Sequence, residues 1–348
     1  MKKLILSASI VALIASCSSS KKATEADVNV DYAAKYAATI TEKDLAKHLF
    51  IYASDEFEGR NTGEPGQKKA VAYLKNFYVE QGIASPLGGD DYFQEVPAKF
   101  LNKRNRRGTL KASENVVAFI KGSEKPDEIV VISAHLDHEG IKNGKIYNGA
   151  DDDGSGTVAI LEIAEAFQKA AKDGNGPKRS VLFLHVTGEE KGLLGSKYYV
   201  ENPIFPIANT VVDLNIDMVG RIDDRHKDNR NFIYLIGADK LSTELHNLSE
   251  AMNSKYTNIS LDYKYNDPKD PNRFYYRSDH YNFAKYNVPI IFYFNGTHED
   301  YHQPTDTPDK INYDLLENRS RLVFHTAWEI ANRDKRLVVD KPVTPPSR

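Results

Sequence analysis

Four short apolar stretches of this chain are each followed by side chains that could bind a metal or move protons. These side chains are His135 and Asp137, Glu189 and Glu190, Asp217 and, after a short loop, His302. A run of three aspartates, 151–153, also precedes a segment with helical periodicity. Imidazole and carboxylate groups without cysteine suit divalent cations of the zinc type. The residue types therefore predict a metal centre.

The number of these groups favours a pair of cations. Adjacent carboxylates repel each other unless positive charge neutralises them. A two-cation site holds its ions roughly 3.5–4 Å apart, and one carboxylate can bridge them. We assign the bridging position to Asp152. We expect His135 and Asp217 beside one cation, and Glu190 and His302 beside the other.

The elements that must position these groups alternate along the chain. Helical periodicity covers 66–82, 156–172, 241–255 and 314–332. Apolar runs rich in β-branched residues cover 128–135, 180–187, 209–218 and 288–296. Such alternation predicts an α/β fold, a three-layer α/β/α sandwich with a mostly parallel, mixed central sheet. Ligands bind outside the carboxyl ends of strands in such sheets, where these side chains lie.

Five segments resemble, in this order, a known family of enzymes. They are "HLD" (135–137), "GADDDGSG" (149–156), "GEEKGLLGS" (188–196), "NIDMVGR" (215–221) and "YHQPTDT" (301–307). The pattern is similar to the co-catalytic zinc aminopeptidases of the bacterial leucyl aminopeptidase and glutamate carboxypeptidase group, in the MH clan. The resemblance is strong over about 130–310, and 55–83 resembles the family's N-terminal segment. It implies the phosphorylase/hydrolase-like zinc peptidase fold.

The resemblance also implies a role for each residue of the predicted centre. The ligands of two Zn²⁺ ions per chain would be His135, Asp152, Glu190, Asp217 and His302. Glu189 would be the general base, and Asp137 the carboxylate that orients His135. His298 competes for the last ligand position, but the family motif selects His302. We expect structural or supporting roles for His138, His185 and His280.

These roles imply a metallo-exopeptidase that hydrolyses N-terminal residues from peptides. A free α-amine would bind beside the acidic groups, and the segment 273–283, the end of the fourth strand and Met218 would form the side-chain pocket. Tyr301 is a candidate donor to the oxyanion, and Arg277 a candidate substrate contact. An arginine in the cleft, Arg221, Arg273 or Arg277, could bind a substrate carboxylate, so a carboxypeptidase or dipeptidase remains an alternative.

Two further alternatives are open. A glutaminyl cyclase of the same fold would use one zinc ion, and it would depart from the paired-glutamate pattern that this chain keeps. A binding lipoprotein without activity would lack ligands or the base, and none is missing from the motifs. Arg221, Arg273 and Asp279 receive no role from the sequence.

The N-terminus has the pattern of an exported lipoprotein. Lys2 and Lys3 precede an apolar run that is too short to span a membrane and has the proportions of a signal peptide. Cys17 follows "LIAS", which resembles a lipobox. We predict a signal peptide at 1–16, a lipidated Cys17 that opens a flexible tether at 17–40, a catalytic domain at 41–337 and a tail at 338–348. The lipid would hold the exported protein in a bacterial outer membrane, on its periplasmic or cell-surface side.

Composition limits the partners of this protein. The 348 residues include 46 Lys and Arg and 49 Asp and Glu, which gives a net charge of −3. This balance gives no reason to expect a nucleic-acid partner. We expect peptide substrates and a membrane contact through the lipid. The single cysteine excludes an internal disulfide, and the sequence indicates no oligomeric state.

Overall fold

The computed structural model describes residues 30–103 and 109–343. The predicted signal peptide, Cys17 and most of the predicted tether lie outside the described residues, as do residues 344–348 of the predicted tail. The chain divides into two units after Asp31, and from Tyr32 onward the described residues form one compact unit. Within the described ranges, helices are too short or too polar to cross a membrane.

Helices and strands alternate through the described residues. The α-helices are α1 (Tyr32–Ala37), α2 (Glu42–Tyr52), α3 (Pro65–Gln81), α4 (Ala98–Leu101), α5 (Gly156–Lys172), α6 (Leu194–Glu201), α7 (Thr243–Met252), α8 (His280–Ala284) and α9 (Tyr313–Asn332). The strands are β1 (Phe93–Val96), β2 (Ser113–Ile120), β3 (Lys125–His135), β4 (Gly140–Lys142), β5 (Lys145–Tyr147), β6 (Arg179–Val186), β7 (Thr210–Ile216), β8 (Phe232–Ile236), β9 (Ser260–Asp262) and β10 (Ile290–Phe294).

One mixed sheet contains most of these strands, in the order β1-β2-β6-β3-β7-β10-β8-β9. Its centre, β6-β3-β7-β10, is parallel. Towards the edges, β2 pairs antiparallel with β6, and β8 with β10. The predicted α/β fold with a mostly parallel, mixed sheet is therefore confirmed. The strands β4 and β5 form a separate hairpin beside it.

The side chains of β3 show how the layers form. Ile129, Val130, Val131 and Ile132 are β-branched and suit a strand that is buried on both faces. Val130 and Ile132 pack into a core that α5 and α9 cover, whereas Ile129 and Val131 face α6 and α8. Alternation along a strand sends neighbouring side chains to opposite faces. Helices therefore cover both faces of the sheet.

The predicted elements correspond to α3, α5, α7 and α9, and to β3, β6, β7 and β10. The helix predicted at 241–255 ends at Met252, because the chain continues there in a wider turn, Asn253–Thr257. The strands β2 and β8, which flank the parallel centre, were not predicted.

The predicted tail begins as an ordered segment. Val338 donates its backbone N–H to Glu244, and Asp340 accepts the backbone N–H of Thr243 at the start of α7. The N–H of Lys341 donates to the carbonyl of Leu241. Residues 338, 340 and 341 are thus hydrogen-bonded to residues 241–244, at the start of α7 and just before it.

Candidate metal centre

The parallel strands bring the predicted metal-binding residues to one edge of the sheet. His135 is the last residue of β3, and Asp217 follows the end of β7 directly. Glu189 and Glu190 lie just beyond the end of β6, and His302 lies on the loop after β10. The carboxyl ends of parallel strands share one edge, which is where α/β sheets bind their ligands.

Asp152 reaches the same place from the segment Ala150–Ser155, which precedes α5. The neighbouring Asp153 fixes this segment. Its carboxylate accepts the backbone N–H groups of His135 at 3.1 Å, Gly156 at 3.0 Å and Met218 at 3.1 Å. One buried carboxylate therefore ties together the three segments that carry His135, Asp152 and Asp217.

Asp151 holds the other side of the segment. Its contacts distinguish the two histidines that compete for the last ligand position, His298 and His302. Its carboxylate accepts the N–H of Gly220 at 2.6 Å and lies 3.0 Å from Nε2 of His298. His298 is thereby paired with Asp151, and His302 is the histidine that faces Asp152. Asp306, which received no role from the sequence, accepts the backbone N–H groups of Asp151 and Asp152.

Asp152 lies between two histidines. Its Oδ1 atom is 3.1 Å from Nε2 of His135, and its Oδ2 atom is 2.9 Å from Nε2 of His302. On the first side, Asp217 Oδ1 is 3.6 Å from His135 Nε2. On the second side, Glu190 Oε1 is 3.3 Å from His302 Nε2. The five residues thus form two half-sites that share one carboxylate.

The resemblance implies that the carboxylate of Asp137 orients His135, but in the structure the backbone of Asp137 contacts the ring. The Nδ1 atom of His135 lies 2.9 Å from the backbone carbonyl of Asp137, whereas the carboxylate is 3.9 Å away. The carboxylate is turned aside because it accepts the backbone N–H of Glu189 at 3.0 Å and the hydroxyl of Thr62 at 2.6 Å. Its side chain therefore positions Glu189, and its backbone orients His135.

Asp217 also has a supporting residue that the sequence did not single out. The hydroxyl of Ser278 donates to Asp217 Oδ2 at 2.6 Å, and Asn215 donates to that hydroxyl at 2.9 Å. Ser278 belongs to the "RSDH" segment beside Asp279. Asp279 is buried and accepts a hydrogen bond from Ser196. The segment 277–280 thus packs beneath the site.

The cluster attracts positive charge. Burial of the ring lowers the pKa of His302, but the nearby carboxylates of Asp152 and Glu190 raise it to about 10. Burial likewise opposes charge on His135, and Asp217 and Asp152 outweigh it, so its pKa lies well above the usual range. A divalent cation would take the place of these protons.

Several buried atoms of the cluster fit cation ligands better than hydrogen-bonding groups. Asp152 Oδ2, Glu190 Oε1 and both ring nitrogens of His138 have no hydrogen-bond partner among the described residues. Nδ1 of His138 lies 2.9 Å from Oε1 of Glu190, and Oδ2 of Asp152 lies 2.9 Å from Nε2 of His302, but neither pair is aligned for a hydrogen bond. Buried polar atoms without partners are costly. The His, Asp and Glu donor set therefore fits zinc.

In the part of the chain that the structure describes, ligand-type atoms converge in three overlapping groups, in each of which they lie within 4.8 Å of one another. The groups are His135, Asp152 and Asp217; His138, Asp152 and Glu190; and Glu139, Glu190 and His302. His138, for which we expected a structural or supporting role, is thus part of the cluster. By contrast, His185 and His280 lie near Tyr78 and Tyr275, with which their ring nitrogens form hydrogen bonds.

A small cavity that is open to solvent lies against the cluster. One side is lined by His135, Asp152, Glu189, Asp217 and His302, and the other by Met218, Phe274, Arg277, Phe292, Phe294, Thr297 and Tyr301. Met218, Tyr301 and Arg277 are the predicted substrate contacts. Of the segment 273–283, only Phe274 and Arg277 line this cavity. Most of its apolar wall comes from β10 and Met218.

The three arginines that the sequence left open differ in position. Arg277 lines the cavity, and its Nη2 atom is 3.4 Å from the hydroxyl of Tyr301. The guanidinium of Arg221 pairs with Asp300 at 3.0 Å. Arg273 stacks on Tyr276 and lines a different surface depression. Of these three arginines, Arg277 is the one that lines the cavity beside the cluster.

Solved structures share this fold. LapA from Legionella pneumophila superposes with a TM-score of 0.67 and 22% identity over 90% of this chain and 78% of its own. BSAP, described as a zinc aminopeptidase from Bacillus subtilis, gives a TM-score of 0.64 and 17% identity over 87% of this chain and 98% of its own.

Curated relatives match over shorter stretches. A probable glutamate carboxypeptidase, LAMP1 of Arabidopsis thaliana, is 36% identical over 105 residues, which are 30% of this chain and 14% of that protein. A probable leucine aminopeptidase of Trichophyton verrucosum is 29% identical over 223 residues, 62% of this chain and 57% of that protein. The chain thus spans well under two thirds of these relatives.

The sequence pattern of one family covers most of the elements that carry the site. Residues 115–327, more than half of the chain, match the pattern of peptidase family M28. The matched range includes every predicted metal ligand and Glu189. This chain belongs to peptidase family M28.

Proposed function

We propose that this protein is a metallo-exopeptidase that removes N-terminal residues from peptides, with two zinc ions and Glu189 as general base. The observation that carries the proposal is the position of Asp152, which has one carboxylate oxygen beside His135 and the other beside His302. His135 and Asp217 would hold one cation, and Glu190 and His302 the other. Three carboxylates would offset most of the positive charge of two dications.

Bound zinc would polarise the scissile carbonyl and acidify the attacking water. Glu189 lines the cavity beside His135 and Asp152, and its backbone is fixed by Asp137. Desolvation raises the pKa of Glu189, His135 opposes this rise, and Glu190 adds to it, so the pKa lies well above the usual range. A carboxylate with a raised pKa exchanges protons readily near neutral pH. Glu189 would accept a proton from water and pass it to the leaving amine.

Tyr301 would donate a hydrogen bond to the oxyanion. It lines the cavity, and its ring stacks on that of His302 with centroids 4.0 Å apart. Burial and the nearby carboxylates of Asp152 and Glu190 raise the pKa of Tyr301 above its usual value. The phenol therefore keeps its proton and can donate a hydrogen bond to developing negative charge.

The charges along the cavity favour a free N-terminus. A protonated α-amine would lie against Glu189 and Asp217, which line the same wall. The first side chain of the peptide would meet the apolar wall of Met218, Phe274 and Phe292. The names of the relatives do not agree on which end of a peptide is cleaved. One is called a probable leucine aminopeptidase and another a probable glutamate carboxypeptidase. The acidic lining supports the amino end.

The decisive experiment determines which end of a peptide is trimmed. The zinc-loaded protein is incubated with a peptide library, with leucine p-nitroanilide and with N-acetylated acidic dipeptides. We expect release of N-terminal residues and of p-nitroaniline, with N-acetylated substrates untouched. Cleavage of the acetylated dipeptides alone would establish a carboxypeptidase or dipeptidase instead. A single bound zinc, with cyclisation of N-terminal glutamine, would identify a glutaminyl cyclase.

We also propose that the protein is exported and anchored by a lipid on Cys17, with the compact unit that begins at Tyr32, nine residues before the predicted start at 41, as its catalytic domain. The support is the N-terminal sequence pattern. Expression in a bacterium with labelled palmitate should label the native chain and leave Cys17→Ala unlabelled. An unlabelled native chain found in the soluble fraction would refute the anchor but leave the peptidase proposal intact.

A further inference from the structure

His138 follows the "HLD" segment directly, and its surroundings differ from those of an ordinary buried histidine. Its side chain is fully buried. Neither ring nitrogen has a hydrogen-bond partner among the described residues. Buried imidazoles normally have partners, as His185 does with the hydroxyl of Tyr78 at 2.7 Å. Both ring nitrogens of His138 are therefore buried without a hydrogen bond from the described residues that would compensate for their desolvation.

The ring faces the second half-site. Its Nδ1 atom lies 2.9 Å from Oε1 of Glu190 and 3.7 Å from Oδ2 of Asp152. Its centroid is 5.6 Å from that of the His302 ring. Both Nδ1 of His138 and Oε1 of Glu190 lack hydrogen bonds despite their short separation. The two atoms thus face a common space without being aligned with each other, as ligands of one cation would be.

Close packing fixes the orientation of the ring. A Cβ atom added at Gly149 would lie 2.5 Å from the His138 ring, and the φ angle of Gly149 is +53°. A side chain at position 149 would therefore collide with the imidazole. The backbone N–H of His138 donates to the carbonyl of Arg60 at 3.2 Å. Gly149 therefore leaves no free space on its side of the ring, and the backbone of His138 is fixed by a hydrogen bond, as a preorganised ligand requires.

We propose that His138 binds the cation of the second half-site through Nδ1, together with Asp152, Glu190 and His302. This inference rests on the proposed two-zinc function and adds a ligand to it. The second cation would then have four protein ligands, whereas the first would have only His135, Asp152 and Asp217. Zinc with four protein ligands has a closed coordination shell, and zinc with three keeps a position for water or substrate. The first half-site would bind substrate, and the second would hold its cation more tightly.

Metal titration tests this assignment without reference to activity. The full-length protein is freed of metal with a chelator, and zinc binding is then measured by calorimetry for the native chain, His138→Gln and the control His185→Gln. We expect two cations on the native chain, and His138→Gln should weaken the tighter one at least about 10-fold. The control should bind both as the native chain does. Unchanged binding by His138→Gln overturns the inference.

A second measurement needs no variant and so does not depend on the folding of one. The native chain is labelled with ¹⁵N-histidine, and its ring nitrogens are followed by NMR during zinc addition. We expect three metal-shifted rings, of which one is bound through Nδ1. In His135 the Nδ1 atom is already engaged by the carbonyl of Asp137 at 2.9 Å, so that ring would bind through Nε2. Only two shifted rings would overturn the proposal.

The amount of zinc bound distinguishes a failure of the two-zinc function from a failure of the His138 assignment. If the native chain takes up fewer than two zinc ions, the two-zinc function itself is wrong. If it takes up two and only His135 and His302 respond, the function stands and His138 is not a ligand.

Discussion

The carboxylate of Asp137 accepts the backbone N–H of Glu189 at 3.0 Å. This bond joins the end of β3 to the turn after β6, two strands that are neighbours in the sheet. It also leaves the backbone carbonyl of Asp137 to orient His135. The position of the proposed base and the orientation of a proposed ligand thus depend on the same residue.

Replacing Glu189 with glutamine should separate catalysis from metal binding. Glu189→Gln keeps the size of the side chain but removes the proton acceptor, so we expect kcat to fall about 10²–10⁴-fold. Zinc content should not change, because Glu189 is outside the proposed ligand set. Hydrolysis of leucine p-nitroanilide and elemental analysis measure the two effects. Glu201→Gln, at a partly exposed position, serves as control, and near-native rates in Glu189→Gln would refute the base assignment.

Replacing Asp137 should affect turnover more than zinc binding. Asp137→Ala removes the acceptor for the N–H of Glu189 but keeps the backbone carbonyl that orients His135. We expect kcat to fall about 10–100-fold, the range for loss of a supporting residue. The KM value should change little, because Asp137 does not line the cavity.

A matched variant isolates the bond to Glu189. Thr62→Val removes only the other hydrogen bond of the Asp137 carboxylate. A smaller loss of kcat in Thr62→Val than in Asp137→Ala supports the positioning role. Loss of bound zinc in Asp137→Ala would show instead that the carboxylate supports His135.

Arg277 should set a preference for acidic substrates. Its guanidinium lies at the cavity wall, near the hydroxyl of Tyr301, and can meet a carboxylate of a bound peptide. For peptides with an acidic residue near the N-terminus, Arg277→Ala should lower kcat/KM about 10-fold more than for neutral peptides, the equivalent of one charged hydrogen bond. Arg277→Lys should restore part of the preference.

Arg273→Ala provides the control for that measurement, because Arg273 carries the same charge but lines a different depression. If Arg277→Ala lowers kcat/KM equally for acidic and neutral peptides, the arginine does not recognise the charge of the substrate.

The stability of the protein should fall as pH rises through the neutral range, because of Glu162. Burial raises the pKa of Glu162 to about 8, and Glu165 and Asp44 add to the rise. Between the usual pKa of a glutamate and 8, the folded chain holds a proton that the unfolded chain has released. The free energy of unfolding therefore decreases with pH in this window, by at most about 1.4 kcal/mol per pH unit from this group.

Urea unfolding between pH 5 and 9 measures this effect. Glu162→Gln cannot ionise, so its stability should decline less over the window than that of the native chain. Glu124→Gln, at an exposed position, should follow the native curve. Parallel curves for Glu162→Gln and the native chain would contradict the prediction.

The sequence by itself determined the parallel centre of the sheet and the residues at its strand ends. Runs such as 128–135 and 180–187 are apolar and contain β-branched residues, and such runs predict strands that are buried on both faces. The strands β2 and β8 also carry apolar runs, "VVAFI" and "FIYLI", but these runs are shorter, and short apolar runs are the ones whose secondary structure periodicity leaves ambiguous. The order of the five motifs was enough to name the predicted ligands.

Only the tertiary structure decided which side chains meet. Thr62 contacts Asp137 across 75 positions, and Asp306 binds the backbone of Asp151 across 155 positions. The tertiary structure also pairs His298 with Asp151 and turns His138 towards Glu190. It brings Arg277, and not Arg221, to the cavity. The direction of a side chain depends on packing between segments that are distant in the chain, and no local pattern encodes it.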